Sequence, residues 1–382
     1  MTEKLYYSDA YISKFTATVL ECTECDGRFS ILLDKTAFFP EEGGQSADTG
    51  RIGGSVVRGA YERDRKIYHL ADAPLCVGAT VECELDFATR LDKMRQHTAE
   101  HIISGIVHSL HGYGNVGFHL GDDIVTCDFD GAFTDTELER IELLANRAVM
   151  DDLPVTAYFP SSDELASLEY RSKLELSENV RIVIIEGIDS CACCAPHVAR
   201  TGEIGCIKIL DCIRWRGGVR MTIAAGERAV ADYVKRHNSC KSISALLSSP
   251  RDEVESAVIN LKASLDKESA RVRELLFRIA AIEADKLSQT EKNRVVALPD
   301  LTVPSLIEFT NLAIGKVGGI LVALIGSEGD YKYVVRSESR DLKQIARDMN
   351  IVLRGKGGGN SGMLQGSFSA GIDEIRSFFE EL

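Results

Sequence analysis

Two pairs of metal-type side chains, each spaced i, i+4, constrain this chain most: His97 and His101 in RQHTAEH, then Cys193 and His197 in CACCAPH. Residues 89–104 carry Leu91, Met94, Ile102 and Ile103 at helical spacing with no Gly or Pro, which predicts a helix with both imidazoles on one face. Pro196 disfavours helix at the residue before it, so Cys193 and His197 are expected to converge through a bend. Three nitrogens and a thiolate suit tetrahedral zinc, with ferrous iron second, and do not suit the oxygen-seeking magnesium or calcium. HTAEH also fits a reversed peptidase pattern with Glu100 as general base. That pattern needs a carboxylate as third ligand, whereas here a Cys and a His stand ready, and on a helix Glu100 leaves the axis about a hundred degrees from His101.

The chain has 382 residues, 45% of them hydrophobic and 27% charged, enough for two to four packed units. The start lacks a basic-then-apolar leader and no stretch is long and apolar enough to span a bilayer, so the expected location is cytoplasmic. Eleven cysteines, three of them within CACC, fit a reducing compartment with thiolate chemistry better than a disulfide framework. Cys22 and Cys25 form a lone C-x-x-C in a hairpin-like segment and read as packing or turn residues. A net charge of −14 argues against indiscriminate nucleic-acid binding but permits a local basic track. Such clusters occur at Arg90, Lys93 and Arg95, at Lys208, Arg214, Arg216 and Arg220, and at Arg354 and Lys356 in a glycine-rich loop.

The expected architecture is α+β and multidomain. Short alternating strands over 1–88 predict a small β-barrel. Residues 89–235 mix helices and strands around the ligand pairs: a Gly-rich turn follows the first helix, then a strand at IVTCDFDG, a helix from a Thr cap at TDTELERIELLANRAVMDD, and a buried strand at RIVIIEG. Residues 236–290 form a helical arm. Within it Ser249-Pro250 opens a helix whose Val254, Val258, Leu261, Leu265, Val272, Leu275, Ile279 and Ile282 hold a coiled-coil-type seam broken at Glu268. The seam serves a homodimer or folds back on its own chain. Residues 291–382 predict a separate small α/β domain.

With these residues in place the chain resembles the editing domain of alanyl-tRNA synthetase and its freestanding relatives of the AlaX type, in their long form. The resemblance rests on H-x-x-x-H followed by C-x-x-x-H with HVARTGEIG, on KTAFFPEEGGQSADTG at 35–50, on GGVRMTIAAGERA at 217–229, and on the C-terminal RGKGGGNSGMLQG, which is similar to the synthetase's C-terminal tRNA-binding domain. It covers nearly the whole chain, and no ATP-dependent aminoacylation domain is expected before the barrel. Glu42 stands where the family usually has glycine, Phe39 replaces its tyrosine, and CACCAPH replaces its C-G-G-T-H. Cys191 and Cys194 are rival ligands, but only Cys193 keeps the family spacing to His197.

The resemblance implies a zinc-binding fold like the second additional domain of threonyl and alanyl tRNA synthetases. It further implies a zinc-dependent deacylase that hydrolyses tRNA(Ala) mischarged with serine or glycine, together with the family's association with nucleotide and ATP binding. Such editing has a physical reason, since a pocket built for a methyl group cannot exclude glycine and rejects serine by only about a hundredfold. Thr36 and Gln45 are the expected serine-recognition residues, and Arg354 and Lys356 the expected tRNA contacts. Either one metal ligand yields to water, or the zinc only orients the aminoacyl end. His119 and Asp128 are secondary candidates near the site. A tRNA-binding module without catalysis, and a zinc hydrolase of a small ester or peptide, are the competing readings.

Overall fold

Alternation of apolar and polar residues in the first strands closes them into a barrel. The strands are β1 (Lys14–Cys25), β2 (Arg28–Leu33), β3 (Gly50–Ile52), β4 (Ser55–Arg63), β5 (Lys66–Ala71) and β6 (Thr80–Leu85), ordered β1-β2-β5-β4-β3-β6 and closed by β6 on β1. In β5 every second residue, Ile67, His69 and Ala71, turns inward, as the two-residue strand period requires. Val19, Ile31, Leu33, Phe38, Val57 and Leu85 fill the interior. The computed structural model describes residues 1–172 and 180–382, which divide into two compact units, Met1–Ser239 and Cys240–Leu382.

Behind the barrel, Asp86 caps α1 (Phe87–His111) by accepting the Thr89 N–H, and Gly112 ends it in the left-handed conformation at φ 71°. The helix is longer at both ends than the ligand segment alone predicts. The glycine-rich stretch after it, expected as a turn, contains strand β7 (Asn115–Leu120). Pairing with β8 (Val125–Phe129) supplies backbone partners that override its weak strand propensity. Thr134 and Glu137 form a reciprocal capping box at the start of α2 (Asp135–Met150), where the sequence placed a Thr cap. Strands β9 (Val155–Tyr158), β10 (Ile182–Ile185) and β11 (Asp189–Ala192) make a three-stranded sheet. β12 (Ile207–Trp215) and β13 (Gly218–Ala225) join β8 and β7 in a four-stranded one, ordered β12-β13-β8-β7. Met94, Ile102, Ile103 and Ile106 of α1 pack on Val125, Cys127, Met221 and Ile223 of that sheet, and α3 (Gly226–Leu247) leads on from it.

The second unit takes in the last turns of α3 and then α4 (Val254–Lys286), a single helix of 33 residues that carries the seam. Only Ala280 and Ala284 of α4 are buried; Leu261 at 57% and Leu265 at 64% exposure leave the seam uncovered in the single chain. β14 (Arg294–Ala297), β15 (Leu321–Ser327), β16 (Asp330–Arg336), β17 (Lys356–Gly359) and β18 (Met363–Phe368) form a sheet ordered β14-β15-β16-β18-β17. Alternate residues of β15 face opposite cores. Leu321 and Ala323 meet α5 (Val303–Ala313), while Val322 and Leu324 share a core with residues of α6 (Leu342–Val352) and α7 (Ile372–Glu380). No described helix is long and apolar enough to cross a membrane.

Candidate metal centre

Helical spacing stacks His97 over His101 on one face of α1, their rings 5.3 Å apart. The β10–β11 hairpin then delivers a loop whose Cys193 and His197 meet them, bringing one ligand atom of each residue within 4.8 Å of the others. Cys193 Sγ lies 3.6 Å from His97 Nε2 and 3.4 Å from His197 Nε2. An edge of a zinc tetrahedron with nitrogen and sulfur ligands spans roughly 3.6 Å from ordinary bond lengths, so the spacing suits such an ion.

The outer nitrogen of each imidazole has its own partner. His97 Nδ1–H donates to Gln45 Oε1 at 2.8 Å, and His101 Nδ1–H to Asp189 Oδ2 at 2.9 Å. Thr98 spends its hydroxyl proton on the Met94 carbonyl, so its oxygen accepts from His197 Nδ1–H at 3.0 Å. With their Nδ1 atoms so engaged, the rings can turn Nε2 inward, the arrangement that fixes imidazoles as metal ligands. Burial would lower His101, but its hydrogen bonds to Asp189 and Cys193 hold it well above its usual value, so a metal ion would have to displace a proton there. Burial alone would raise the Cys193 thiol, but His97, His197 and His101 around it outweigh that and hold it well below its usual value. Burial likewise lowers His197 to about 3, in its neutral form. Asp189 stays ionised despite burial because His101 and Arg171 both hydrogen-bond it, Arg171 bridging its two oxygens at 2.7 and 2.8 Å. A second group, His101, Asp189 and Cys191, has its atoms equally near one another. Yet Asp189 is committed to Arg171, and burial pushes the Cys191 thiol up to about 11.

Two close approaches make this assembly fit. Glu42 and Gln45 pair across a turn in which Gly43 and Gly44 have φ of 63° and 85°, and Gly44 lies so near the Phe118 carbonyl that any Cβ would collide. That turn aims Gln45 at His97. The following residues are clamped to α1 by the buried Arg90–Asp48 ion pair and by Lys93 Nζ, which donates to the Ala47 carbonyl at 2.6 Å. On the other side Gly105, one turn after His101, lets the Ile188 carbonyl touch the helix, which brings Asp189 within reach. Asp189, Thr98, Gly105 and the Arg90–Asp48 pair carry no signal in the sequence, because each acts through a partner far along the chain.

The other expected residues divide. Gln45 is at the centre, buried, with its Nε2 lacking a hydrogen-bond partner. Thr36 is fully buried against the barrel interior. Burial lowers His69 to about 4, its Nδ1–H donates to Ile31, and its Nε2 accepts the Thr36 hydroxyl at 2.8 Å. The same hydroxyl accepts the Phe38 N–H at 3.1 Å. Glu100 departs from its expected direction: one oxygen accepts from Ser104 and Asn115, while the other lies 3.9 Å from His101 Nε2. The side-chain torsions of glutamate return the carboxylate towards the helix face that its Cα leaves. His119 is exposed, and Asp128 pairs bidentately with Arg220. In the second unit Arg354 pairs with Glu374 at 2.8 Å, and Lys356 is exposed on the edge strand β17.

Residues 180–236, which hold Cys193 and His197, match the family described as the threonyl and alanyl tRNA synthetase second additional domain. The chain is 33% identical to an alanine–tRNA ligase of Thermofilum pendens over 98% of its own length and 43% of the ligase, so it spans under half of that relative. It is 27% identical to the alanyl-tRNA editing protein Aarsd1 of Danio rerio over 98% of this chain and 96% of that one. With the alanyl-tRNA editing protein AlaX-L of Pyrococcus horikoshii it shares 26% identity over the same fractions. A shared domain around the ligand loop and collinear similarity from end to end make this chain a homologue of the alanyl-tRNA editing proteins, related through that domain to the alanine–tRNA ligases.

Proposed function

We propose that this protein edits tRNA(Ala), hydrolysing the ester of a wrongly attached serine, and also of glycine, at a zinc centre held by His97, His101, Cys193 and His197. The observation that carries the reading is Gln45: its oxygen fixes a ligand imidazole while its Nε2, buried beside the centre, has no partner. Buried donors are nearly always satisfied, so a free one at such a place is an invitation to substrate. Near-complete collinearity with proteins named for alanyl-tRNA editing supports the same conclusion.

A zinc ion bound here would supply a positive charge that orients and polarises the aminoacyl ester. The protein's own part is positional. Gln45, Asp189 and Thr98 hold the three imidazoles, and the Gln45 Nε2 donates to the serine hydroxyl, a bond that alanine cannot accept. Thr36 acts one step behind, bracing the start of the 38–48 loop through Phe38 and His69. Ester hydrolysis is downhill, so ATP has no part in this reaction. In the second unit Lys356 and the glycines of β17 are the proposed phosphate contacts, since small residues let a backbone approach closely. Arg354 can join them only by leaving Glu374, a surface pair weak enough to exchange.

Deacylation by the purified protein of tRNA(Ala) charged with serine, glycine or alanine tests the reading. Serine and glycine should be released and alanine spared. Equal indifference to all three would leave a binding module, and cleavage of simple esters undisturbed by uncharged tRNA would leave a small-molecule hydrolase.

A further inference from the structure

Strand alternation gives the β12-β13-β8-β7 sheet two different faces. Val219, Met221 and Ile223 of β13 are buried towards α1, so Arg220 and Thr222 between them lie on the opposite, outer face. Cross-strand pairing puts Ile213 and Asp128 beside Arg220, Trp215 beside Gly218, and His119 at the far end of the row that holds Thr222. This outer face is open at Ile213, which is 49% exposed, and at His119. Its hairpin tip is basic and aromatic. Asp128 holds Arg220 through two hydrogen bonds of 2.7 Å, and the Arg220 guanidinium lies 4.1 Å from the centroid of the Trp215 ring. Arg216 also stands over that ring, at 5.4 Å. Unlike Arg220, it is exposed and in no ion pair with the described residues, so its charge is not spent. Arg216 and Gly217 make the two-residue turn between Trp215 and Gly218, with φ of 44° and 89°, where asparagine and glycine are the usual choices. An arginine held there against that preference puts a free guanidinium at the tip. Of the carboxylates on this face, Asp128 is neutralised by Arg220 and Asp211 lies two rows back. Arg214 pairs with the buried Val219 and so lies on the other side of the strand.

We propose that this outer face carries the single-stranded end of the substrate RNA to the metal centre, with Arg216 on a phosphate and Trp215 against a base. The surface rests on the reading of tRNA as the substrate, and it adds a contact in the first unit to those assigned to the second. A free guanidinium and an aromatic ring at one place match the two parts that every nucleotide offers, a charged phosphate and a flat base. An acidic peptide would satisfy Arg216 but leave the ring without a stacking partner. The sheet itself sets the direction. At its far edge β7 turns Phe118 to the centre, 4.7 Å from the His97 ring, and the Leu120 N–H fastens to the Gly44 carbonyl at 2.7 Å, in the turn that aims Gln45. Three strand spacings, roughly 14 Å, separate β12 from β7, a span that a few nucleotides cover.

Trp215 is the only tryptophan of the chain, so its emission reports on this face directly. In the full chain, uncharged tRNA(Ala) should quench that emission, with free tryptophan as the correction for light absorbed by the RNA. Heparin, a polyanion without bases, should quench it far less. By filter retention, Trp215→Leu should weaken tRNA binding about fivefold or more, the scale of one stacked base. Arg216→Ala should lower the salt dependence of binding by about one contact. Arg214→Ala removes the same charge from the other side of the strand and should bind as wild type does. Arg216→Ala should also raise KM for seryl-tRNA(Ala) while cleaving seryl adenosine, which has no strand to lay on the sheet, at the wild-type rate. The emission test needs no substitution, so it stands even if Trp215→Leu fails to fold. Binding of tRNA with unchanged emission, equal quenching by heparin, or equal weakening by Arg214→Ala and Arg216→Ala overturns the surface and leaves the deacylase reading intact. Quenching by tRNA without cleavage of either ester supports the surface and overturns the deacylase reading.

Discussion

At the scale of residues, the centre depends on one thiolate and three oriented imidazoles. Cys193→Ala should empty the site, whereas Cys191→Ala and Cys194→Ala should keep one zinc per chain by elemental analysis; the reverse pattern would refute the ligand assignment. Asp189→Asn and Thr98→Val leave the ligands in place but loosen His101 and His197. Each should weaken metal binding by about 10- to 100-fold in competition with a chelator. His69 offers a check on pH. Its folded value of about 4 lies below the ordinary histidine value, so the unfolded chain binds the extra proton first as pH falls. Stability from this group is complete above about pH 6.5 and is lost progressively down to about pH 4, by roughly 3 kcal/mol in all. Denaturant melts at pH 7 and pH 4.5 should show that His69→Gln narrows the difference between the two. Thr36→Val removes the donor to His69 Nε2 and should cost about 1–3 kcal/mol while narrowing the serine-over-alanine ratio less than Gln45→Leu does.

At the scale of elements, the site is a meeting of one helix with two loops, and the meeting is held by close approaches. Gly105→Ala puts a methyl group into the Ile188 carbonyl and must push the β10–β11 turn away from α1. Asp189 then leaves His101, so chelators should strip the metal more readily than from wild type, although no ligand has changed. Unchanged metal affinity in a folded Gly105→Ala protein would show that the turn does not position Asp189. The Arg90–Asp48 pair does similar work for the barrel loop. Removing one partner strands a buried charge, so Arg90→Met should destabilise the fold by about 3–5 kcal/mol.

At the scale of the molecule, the proposed function assigns the chemistry to the first unit and tRNA affinity to the second. A chain ending at Ser239 should keep its zinc and some deacylation but need more tRNA for half-maximal rate, and Lys356→Ala in the full chain should reduce the salt dependence of tRNA binding by about one contact. We propose that the uncovered seam of α4 serves assembly: Leu261→Glu with Leu265→Glu should leave the metal centre intact and convert a dimer to monomer in sedimentation, whereas an unchanged sedimentation coefficient would refute that role. Full tRNA affinity in the truncated chain would assign the second unit to assembly rather than to tRNA.

The four side chains that converge as a candidate metal site were legible in the sequence because helical spacing and a Cys-x-x-x-His loop are local patterns with a direct chemical meaning. The barrel strands, the Thr134 cap and the body of the long helix were legible for the same reason: each follows from periodicity or capping within a few residues. The start of that helix was not, since a 3-10 turn at Arg251–Glu253 separates Ser249-Pro250 from α4. Strand β7 was hidden because Gly117 within it and the glycines flanking it signal turns, and its pairing with β8 supplies the reason to extend. Asp189, Thr98 and Gly105 were equally hidden. A second hydrogen bond to an imidazole is decided by which distant segment packs beside it, and His101 and Asp189 stand 88 positions apart. The sequence by itself determined which atoms can bind a metal and which segments form helix or barrel. Tertiary structure alone decided that Gln45 rather than Thr36 reaches the centre, that Glu100 turns back towards His101, and that Arg354 is engaged by Glu374, because each outcome depends on packing between segments that no local pattern encodes.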